Sequence, residues 1–113
     1  MHELSVAMSL IDAVEEEAPR HGGRVVAVHL KLGPLSGVAK EALLSAFELA
    51  CAGSTLEGVR LMIEEMPIIV YCPRCQARRT VASMQWFCCP ECDTPVSELV
   101  QGKELELAAL EME

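Results

Sequence analysis

The amino-acid sequence predicts an α+β protein in which two helices lie on a small three-stranded sheet and a zinc-ribbon-like domain with four cysteines is inserted. Two segments with helical periodicity and two with strand periodicity precede a pair of CPxC motifs, and one alternating segment follows them. The last strand most simply rejoins the first sheet. We therefore expect a discontinuous α+β domain at residues 1–67 and 99–113, and an inserted zinc-binding domain at residues 68–98.

The two helices are predicted from apolar residues that recur at steps of three and four. The first helix starts at Leu4, and its expected buried stripe consists of Leu4, Ala7, Met8, Ile11, Val14 and Ala18. The second runs from Val38 to Cys51, with Ser36 as a candidate cap. Its expected buried residues are Val38, Leu43, Leu44, Phe47 and Cys51, and Cys51 is most simply a small buried hydrophobic residue.

The strands are predicted from alternation of apolar and polar residues. In the first strand, Arg24 to Leu32, the residues expected to face the core are Val26, Val28, Leu30 and Leu32, and those expected to face outward are Ala27, His29 and Lys31. The second strand spans Gly58 to Met66. The last begins at Lys103, and its alternation is disturbed at Ala108-Ala109, which indicates a bulge.

The paired CPxC motifs predict a metal site. Cys72 and Cys75 are separated by thirteen residues from Cys89 and Cys92. Four thiolates at about 2.3 Å form a closed tetrahedral shell around Zn²⁺, which leaves no position for substrate and favours a structural role. A thioredoxin-like dithiol would need a βαβ setting, and a disulfide pair would need an oxidising compartment. Cys88 could replace Cys89 as a ligand. We favour Cys89, because the turn from Cys89 to Cys92 has the same CPxC pattern as the turn from Cys72 to Cys75.

Length and charge exclude several classes of protein. The chain has 113 residues and a formal charge of −8, and it contains neither a signal-peptide pattern nor an apolar run long enough to span a membrane. We therefore expect a cytoplasmic protein with reduced thiols. A negative chain repels phosphate backbones, so we expect no binding to nucleic acid, although a zinc ribbon alone would suggest it.

The amino terminus carries a second chemical pattern, Met1-His2-Glu3. The terminal amine, the amide nitrogen of His2 and its imidazole can close adjoining chelate rings around one ion, and Glu3 can complete a plane. Planar, nitrogen-rich sites suit Ni²⁺ or Cu²⁺. Met1 should persist, because initiator methionine is generally removed only before small residues. On spacing alone, however, a histidine at position 2 is more often an ordinary terminal residue.

The chain resembles the HypA/HybF family of nickel metallochaperones, which mature nickel-iron hydrogenases. The resemblance extends over essentially the whole length. It is carried by the paired CPxC turns and by the segments at residues 1–5, 32–38, 46–48 and 102–105, which read MHELS, LGPLSGV, AFE and GKEL.

The resemblance implies a metallochaperone and not an enzyme. It implies that Met1, His2 and Glu3 hold a transferable Ni²⁺, through the Met1 amine and the backbone as well as side chains. It also implies that the four CPxC cysteines hold a structural Zn²⁺. The implied partners are a HypB-type GTPase and the immature hydrogenase large subunit, with urease maturation as a secondary role in some members. Many relatives have an acidic residue where this chain has Ala39, so an additional nickel ligand at that position is in doubt.

Three rival functions remain open on the sequence. The first is a zinc-ribbon interaction module, or adaptor, without transferable metal, and it predicts that no second metal binds. The second is a zinc-ribbon nucleic-acid binder, which predicts salt-sensitive retention on DNA or RNA. The third is a dithiol oxidoreductase. Resistance of the thiolates to alkylation, as expected when they are bound to zinc, would count against it.

Overall fold

The computed structural model describes residues 2–83 and 87–113. The elements are α1 (Glu3–Glu17), a 3-10 turn (Ala18–Arg20), β1 (Val25–Leu32), α2 (Lys40–Cys51), β2 (Arg60–Glu65), β3 (Ile68–Cys72), β4 (Ala77–Val81), β5 (Glu98–Gln101) and β6 (Leu105–Met112). Neither α-helix in the described part of the chain has the length and apolar character that crossing a bilayer requires.

The strands form two three-stranded sheets with the orders β2-β1-β6 and β4-β3-β5. In the first sheet, Met66 N–H donates to Leu32 O at the carboxyl ends of β2 and β1, so this pair is parallel and α2 is the crossover between its strands. Glu113 N–H donates to Arg24 O, which makes β6 antiparallel to β1. The α+β class is confirmed, as is the expectation that the last strand rejoins the first sheet.

Cα packing divides the chain into two compact units. The first comprises the chain up to Lys31, Gly37–Glu64 and Glu106–Glu113. The second comprises Leu32–Ser36 and Glu65–Leu105, and it contains both CPxC motifs and the sheet β4-β3-β5.

Helix α1 buries Ala7, Ile11 and Val14 as predicted, but the rest of its buried stripe differs from the prediction. Its buried residues are Val6, Ala7, Leu10, Ile11 and Val14. Leu4 and Met8, which the sequence placed in the core, are 46% and 56% exposed. Apolar residues spaced three and four apart lie on two neighbouring faces of this helix. Only packing determines which of these faces is buried.

Strand β1 also departs from strict alternation. Ala27 is fully buried although it was predicted to face outward, whereas Val26 is only half-buried. The buried positions change phase between Ala27 and Val28, and β6 changes phase where Ala108 and Ala109 are both exposed. The change in β1 explains why a simple period of two assigned Val26 and Ala27 to the wrong faces.

Helix α2 begins at Lys40, two residues after the predicted start, and its N-cap is Ala39 rather than Ser36. Ala39 has the extended backbone of an N-cap (φ −84°, ψ 124°), but no side-chain capping hydrogen bond is made there. The N–H groups of Glu41 and Ala42 therefore donate to no side chain at the N-cap, where a serine would supply an acceptor.

We expect Ala39→Ser to raise the free energy of unfolding by about 0.5–1 kcal/mol, because serine at an N-cap accepts from these N–H groups. The measurement is urea unfolding of the zinc-loaded protein. Ala42→Ser, at an exposed position inside α2, is the matched control. It should be neutral or destabilising, since serine is a poorer helix former than alanine. Equal effects of the two substitutions would contradict the capping argument.

Gly33 lies where β1 leaves the first sheet and the chain approaches the start of β6. Its N–H donates to Glu104 O, and Leu35 N–H donates to Gly102 O, each at 2.8 Å. A Cβ atom at Gly33 would overlap the carbonyl oxygen of Gly102. Only glycine permits this approach of two backbones.

Candidate metal centres

The four CPxC cysteines lie together in the second unit. Their Sγ atoms all lie within 4.8 Å of one another, and this is the only such group of metal-ligating side chains in residues 2–83 and 87–113. Sγ of Cys92 is 3.6 Å from Sγ of both Cys72 and Cys75, and Sγ of Cys75 is 3.9 Å from that of Cys89. The four sulfurs therefore surround a single point.

The two CPxC turns have matching features. In each, the residue after the second cysteine has a left-handed backbone, with φ 53° at Gln76 and 59° at Asp93. This conformation is uncommon for residues other than glycine, so its recurrence indicates that the two turns are built alike. In the first turn Cys75 N–H donates to Cys72 Sγ at 3.4 Å.

The remaining cysteines lie outside the four-sulfur group. Cys88 forms an isolated β-bridge with Pro95, while Cys89 lies with the other three ligand candidates. Cys51 is buried in the first unit at the end of α2, and burial raises the pKa of its thiol.

Local hydrogen bonds shift the pKa values of three thiols in the four-sulfur group. The Thr94 hydroxyl, 3.1 Å from Cys92 Sγ, is the main reason that the pKa of Cys92 is lowered to about 6. Burial opposes ionisation of Cys89, but the backbone amides of Glu91 and Cys92 outweigh it and lower its pKa. The pKa of Cys75 is raised to about 11, chiefly through its hydrogen bond with Cys92, because adjacent sulfurs share protons. Full ionisation of four crowded thiols requires a cation between them.

The donor set fits a thiophilic ion with tetrahedral preference. Four sulfurs, two of them fully buried, provide no oxygen or nitrogen ligand and no open coordination position. Such a set selects Zn²⁺ or an iron–sulfur centre over Mg²⁺, Ca²⁺ or a planar ion.

The amino-terminal pattern falls at the start of α1. Met1 lies outside the described residues. His2 is exposed and occupies the N-cap position with an extended backbone, but its ring makes no capping hydrogen bond. Its carbonyl accepts from Val6 N–H at 3.2 Å, so the first N–H groups of the chain have no partner inside the helix.

Glu3 connects this terminus to α2. Its carboxylate accepts from Ala39 N–H at 3.2 Å, and that hydrogen bond is the largest cause of the lowered pKa of Glu3. The structure thus places position 39 beside the predicted nickel site. The Ala39 side chain, however, is a methyl group and supplies no ligand.

Two residues next to the four sulfurs were missed by the sequence reasoning. They are Thr94, whose hydroxyl oxygen is 3.1 Å from Cys92 Sγ, and Arg79, whose guanidinium pKa is raised by the sulfurs of Cys75 and Cys89. The alternation of β4 contained the signal for Arg79, since it lies two residues from the buried Val81 and so shares its face.

The fold and the four-sulfur group define a small α+β metal-binding protein with a zinc-ribbon-like unit. A family model described as "Hydrogenase/urease nickel incorporation, metallochaperone, hypA" matches residues 1–112. The chain belongs to this HypA family of nickel metallochaperones for hydrogenase maturation, which confirms the resemblance. The family is one of maturation factors and not of catalytic enzymes.

Relatives and solved structures agree with that assignment. A hydrogenase maturation factor HypA from Roseiflexus sp. (strain RS-1) is 50% identical, over 100% of this chain and 93% of the relative. One from Chloroflexus aurantiacus is 45% identical, over 98% of each chain. The solution structure of the Ni metallochaperone HypA from Helicobacter pylori is 30% identical with a TM-score of 0.65, over 99% of this chain and 97% of that one.

Proposed function

We propose that this protein binds one Ni²⁺ at its amino terminus and delivers it during maturation of a nickel-iron hydrogenase. The observation that carries the proposal is the exposed His2 at the N-cap of α1, in a chain of the HypA family. The proposed ligands are the Met1 amine, the amide nitrogen and imidazole of His2, and Glu3 or its backbone.

The position of His2 supports binding at this end of the chain. Its imidazole is exposed and makes no capping hydrogen bond, so binding a metal breaks no bond of the helix cap. The amides at the start of a helix have no carbonyl partner, and an amide nitrogen can therefore lose its proton to a metal without disrupting the helix. A planar Ni²⁺ complex needs such nitrogen ligands.

The same features allow the nickel to be released. A site built from a chain end and few side chains can be dismantled ligand by ligand as an acceptor supplies its own ligands. The amine, the amide and the imidazole bind metal only after losing a proton, so acidification favours release of the ion. Binding and transfer then require no turnover chemistry.

We assign the four-sulfur group to a resident zinc ion held by Cys72, Cys75, Cys89 and Cys92. When bound, the ion supplies a tetrahedral crosslink between two turns and no reactive position. The Thr94 hydroxyl lowers the pKa of Cys92, and backbone amides in the second turn lower that of Cys89. Both effects favour thiolates, which are the forms that bind metal. We propose that residues 68–98 fold as this zinc domain and that residues 1–67 and 99–113 form the nickel-binding domain.

The proposed setting is the cytoplasm, where thiols stay reduced. The proposed partners are a HypB-type GTPase and the immature hydrogenase large subunit, with urease maturation factors as a further set. The net charge of −8 favours basic partner surfaces over nucleic acid. The competing function is an adaptor that keeps its zinc and carries no second metal.

The proposal is tested by metal analysis of protein whose first residue is Met1, after nickel loading and gel filtration. We expect one equivalent of nickel in addition to one of zinc. Adding one glycine ahead of Met1 should abolish stoichiometric nickel binding, because it moves the amine out of the chelate ring.

The matched control adds one glycine after Glu113, which leaves the amine in place and should retain full nickel. Zinc content should be equal in all three proteins. Absence of stoichiometric nickel from the protein with the native start would favour the adaptor.

A further inference from the structure

The second CPxC turn closes a short antiparallel ladder. Cys88 forms a β-bridge with Pro95, and Cys89 N–H donates to Thr94 O at 2.9 Å, so Thr94 lies opposite Cys89. Side chains at opposite positions of an antiparallel pair point to the same face. Thr94 therefore faces the sulfur group, and its hydroxyl oxygen is 3.1 Å from Sγ of Cys92. A single residue thus contacts both cysteines of this turn, one through its backbone and one through its side chain.

The first CPxC turn has an alanine at the matching position. Cys72 is paired with Ala77 across β3 and β4, and Ala77 follows Cys75 by two residues, as Thr94 follows Cys92. The residue between them has a left-handed backbone in both turns. The two turns therefore share one backbone plan, but the alanine offers a methyl group where the threonine offers a hydroxyl. Cys75 has no hydroxyl from this position.

The contact between Thr94 and Cys92 gains strength when a metal is bound. Cys92 is then a thiolate, which accepts hydrogen bonds and has no proton to donate, so the hydroxyl is the donor. Hydrogen bonds to an ionised acceptor are stronger than those between neutral groups. A group that hydrogen-bonds to a metal ligand fixes the orientation of that ligand. It also makes the sulfur less basic, and a less basic thiolate is a poorer nucleophile.

We propose that Thr94 is a positioning residue of the metal site, and that its hydroxyl makes Cys92 a firmer and less reactive ligand than Cys75, its counterpart in the first turn. The inference rests on the proposed zinc site. The two CPxC turns then hold the ion unequally although their backbones are built alike. Exchange of ligands should begin at Cys75 rather than at Cys92.

Four variants separate the hydroxyl from the shape of the side chain. Thr94→Val removes the hydroxyl and keeps the branched side chain, whereas Thr94→Ser keeps the hydroxyl. Thr94→Ala copies the pairing of Cys72 with Ala77, which the chain already accommodates in its first turn. The matched control is Thr80→Val. Thr80 is an exposed threonine of β4 that pairs with Ile69, and its replacement removes a hydroxyl outside the four-sulfur group.

The experiment uses full-length zinc-loaded protein with two readouts. The first is zinc affinity, from competition with a chromophoric chelator. The second is the initial rate of iodoacetamide alkylation at each cysteine, mapped by mass spectrometry. For Thr94→Val we expect zinc affinity about 10-fold lower, the lower end of the usual range for loss of a group that supports a metal ligand, because Thr94 is only half-buried. The alkylation rate at Cys92 should rise relative to that at Cys75.

Thr94→Ser and Thr80→Val should match the wild type in both readouts. Wild-type behaviour of Thr94→Val, an equal change in Thr80→Val, or a uniform rise in alkylation at all four cysteines would overturn the proposal. Should Thr94→Val fail to fold, Thr94→Ala decides: weaker zinc binding with faster alkylation at Cys92 supports the proposal, and wild-type behaviour overturns it. Wild-type protein that takes up no zinc at all would instead refute the zinc assignment, and the inference with it.

Discussion

Replacing His2 with alanine is expected to lower nickel affinity at least about 100-fold, since loss of a group that only supports metal ligands already costs ~10–100-fold. His2 is exposed and makes no capping hydrogen bond, so the variant should keep its fold and its zinc. Isothermal titration calorimetry with Ni²⁺, on protein starting at Met1, measures the change.

The control for this prediction is His21→Ala. The His21 ring is also exposed and lies 3.2 Å from Glu17, at the far end of α1 from His2. Its replacement removes an imidazole without touching the proposed site, and nickel affinity should remain that of the wild type. Unchanged affinity in His2→Ala, or an equal loss in His21→Ala, would be incompatible with the assigned ligands.

Removal of zinc is expected to unfold the sheet β4-β3-β5 while leaving α1 and α2 in place. Two of the six buried residues of that core, Cys72 and Cys89, are themselves proposed ligands, so little apolar core remains without the metal. Structural zinc contributes an apparent binding free energy of about 10–16 kcal/mol, comparable with the whole stability of a typical domain.

The corresponding measurement is amide hydrogen exchange by NMR, on Cys72→Ser and on chelator-treated protein. Protection should be lost in β3, β4 and β5 and retained in both helices. Cys88→Ser, which removes a neighbouring thiol outside the four-sulfur group, should keep both zinc and protection. Persistent protection of β3–β5 in metal-free protein would show that the ion is not structural.

The sequence predicted the parts of the molecule that depend on local chemistry. Repetition of the CPxC turn selected Cys89 over Cys88, and the structure groups Cys89 with the other three cysteines. The alternating segment after Gly102 was correctly expected to rejoin the first sheet, because a single strand left alone must pair with an existing one.

Features that depend on packing were not predictable in the same way. Leu4 and Met8 fit a helical stripe, yet the helix turns its neighbouring face, with Val6 and Leu10, toward the core. The role of Ala39 as an N-cap could not be read from its residue type, since alanine is a poor cap.

The most direct test of nickel carriage is an absorption titration with Ni²⁺ on zinc-loaded protein whose chain begins at Met1. We predict the d–d band of a planar nickel complex, growing linearly to one equivalent and then constant, with the zinc content unchanged. Absence of that band, or a nickel signal that grows only as zinc is lost, would contradict a transferable nickel site at the amino terminus.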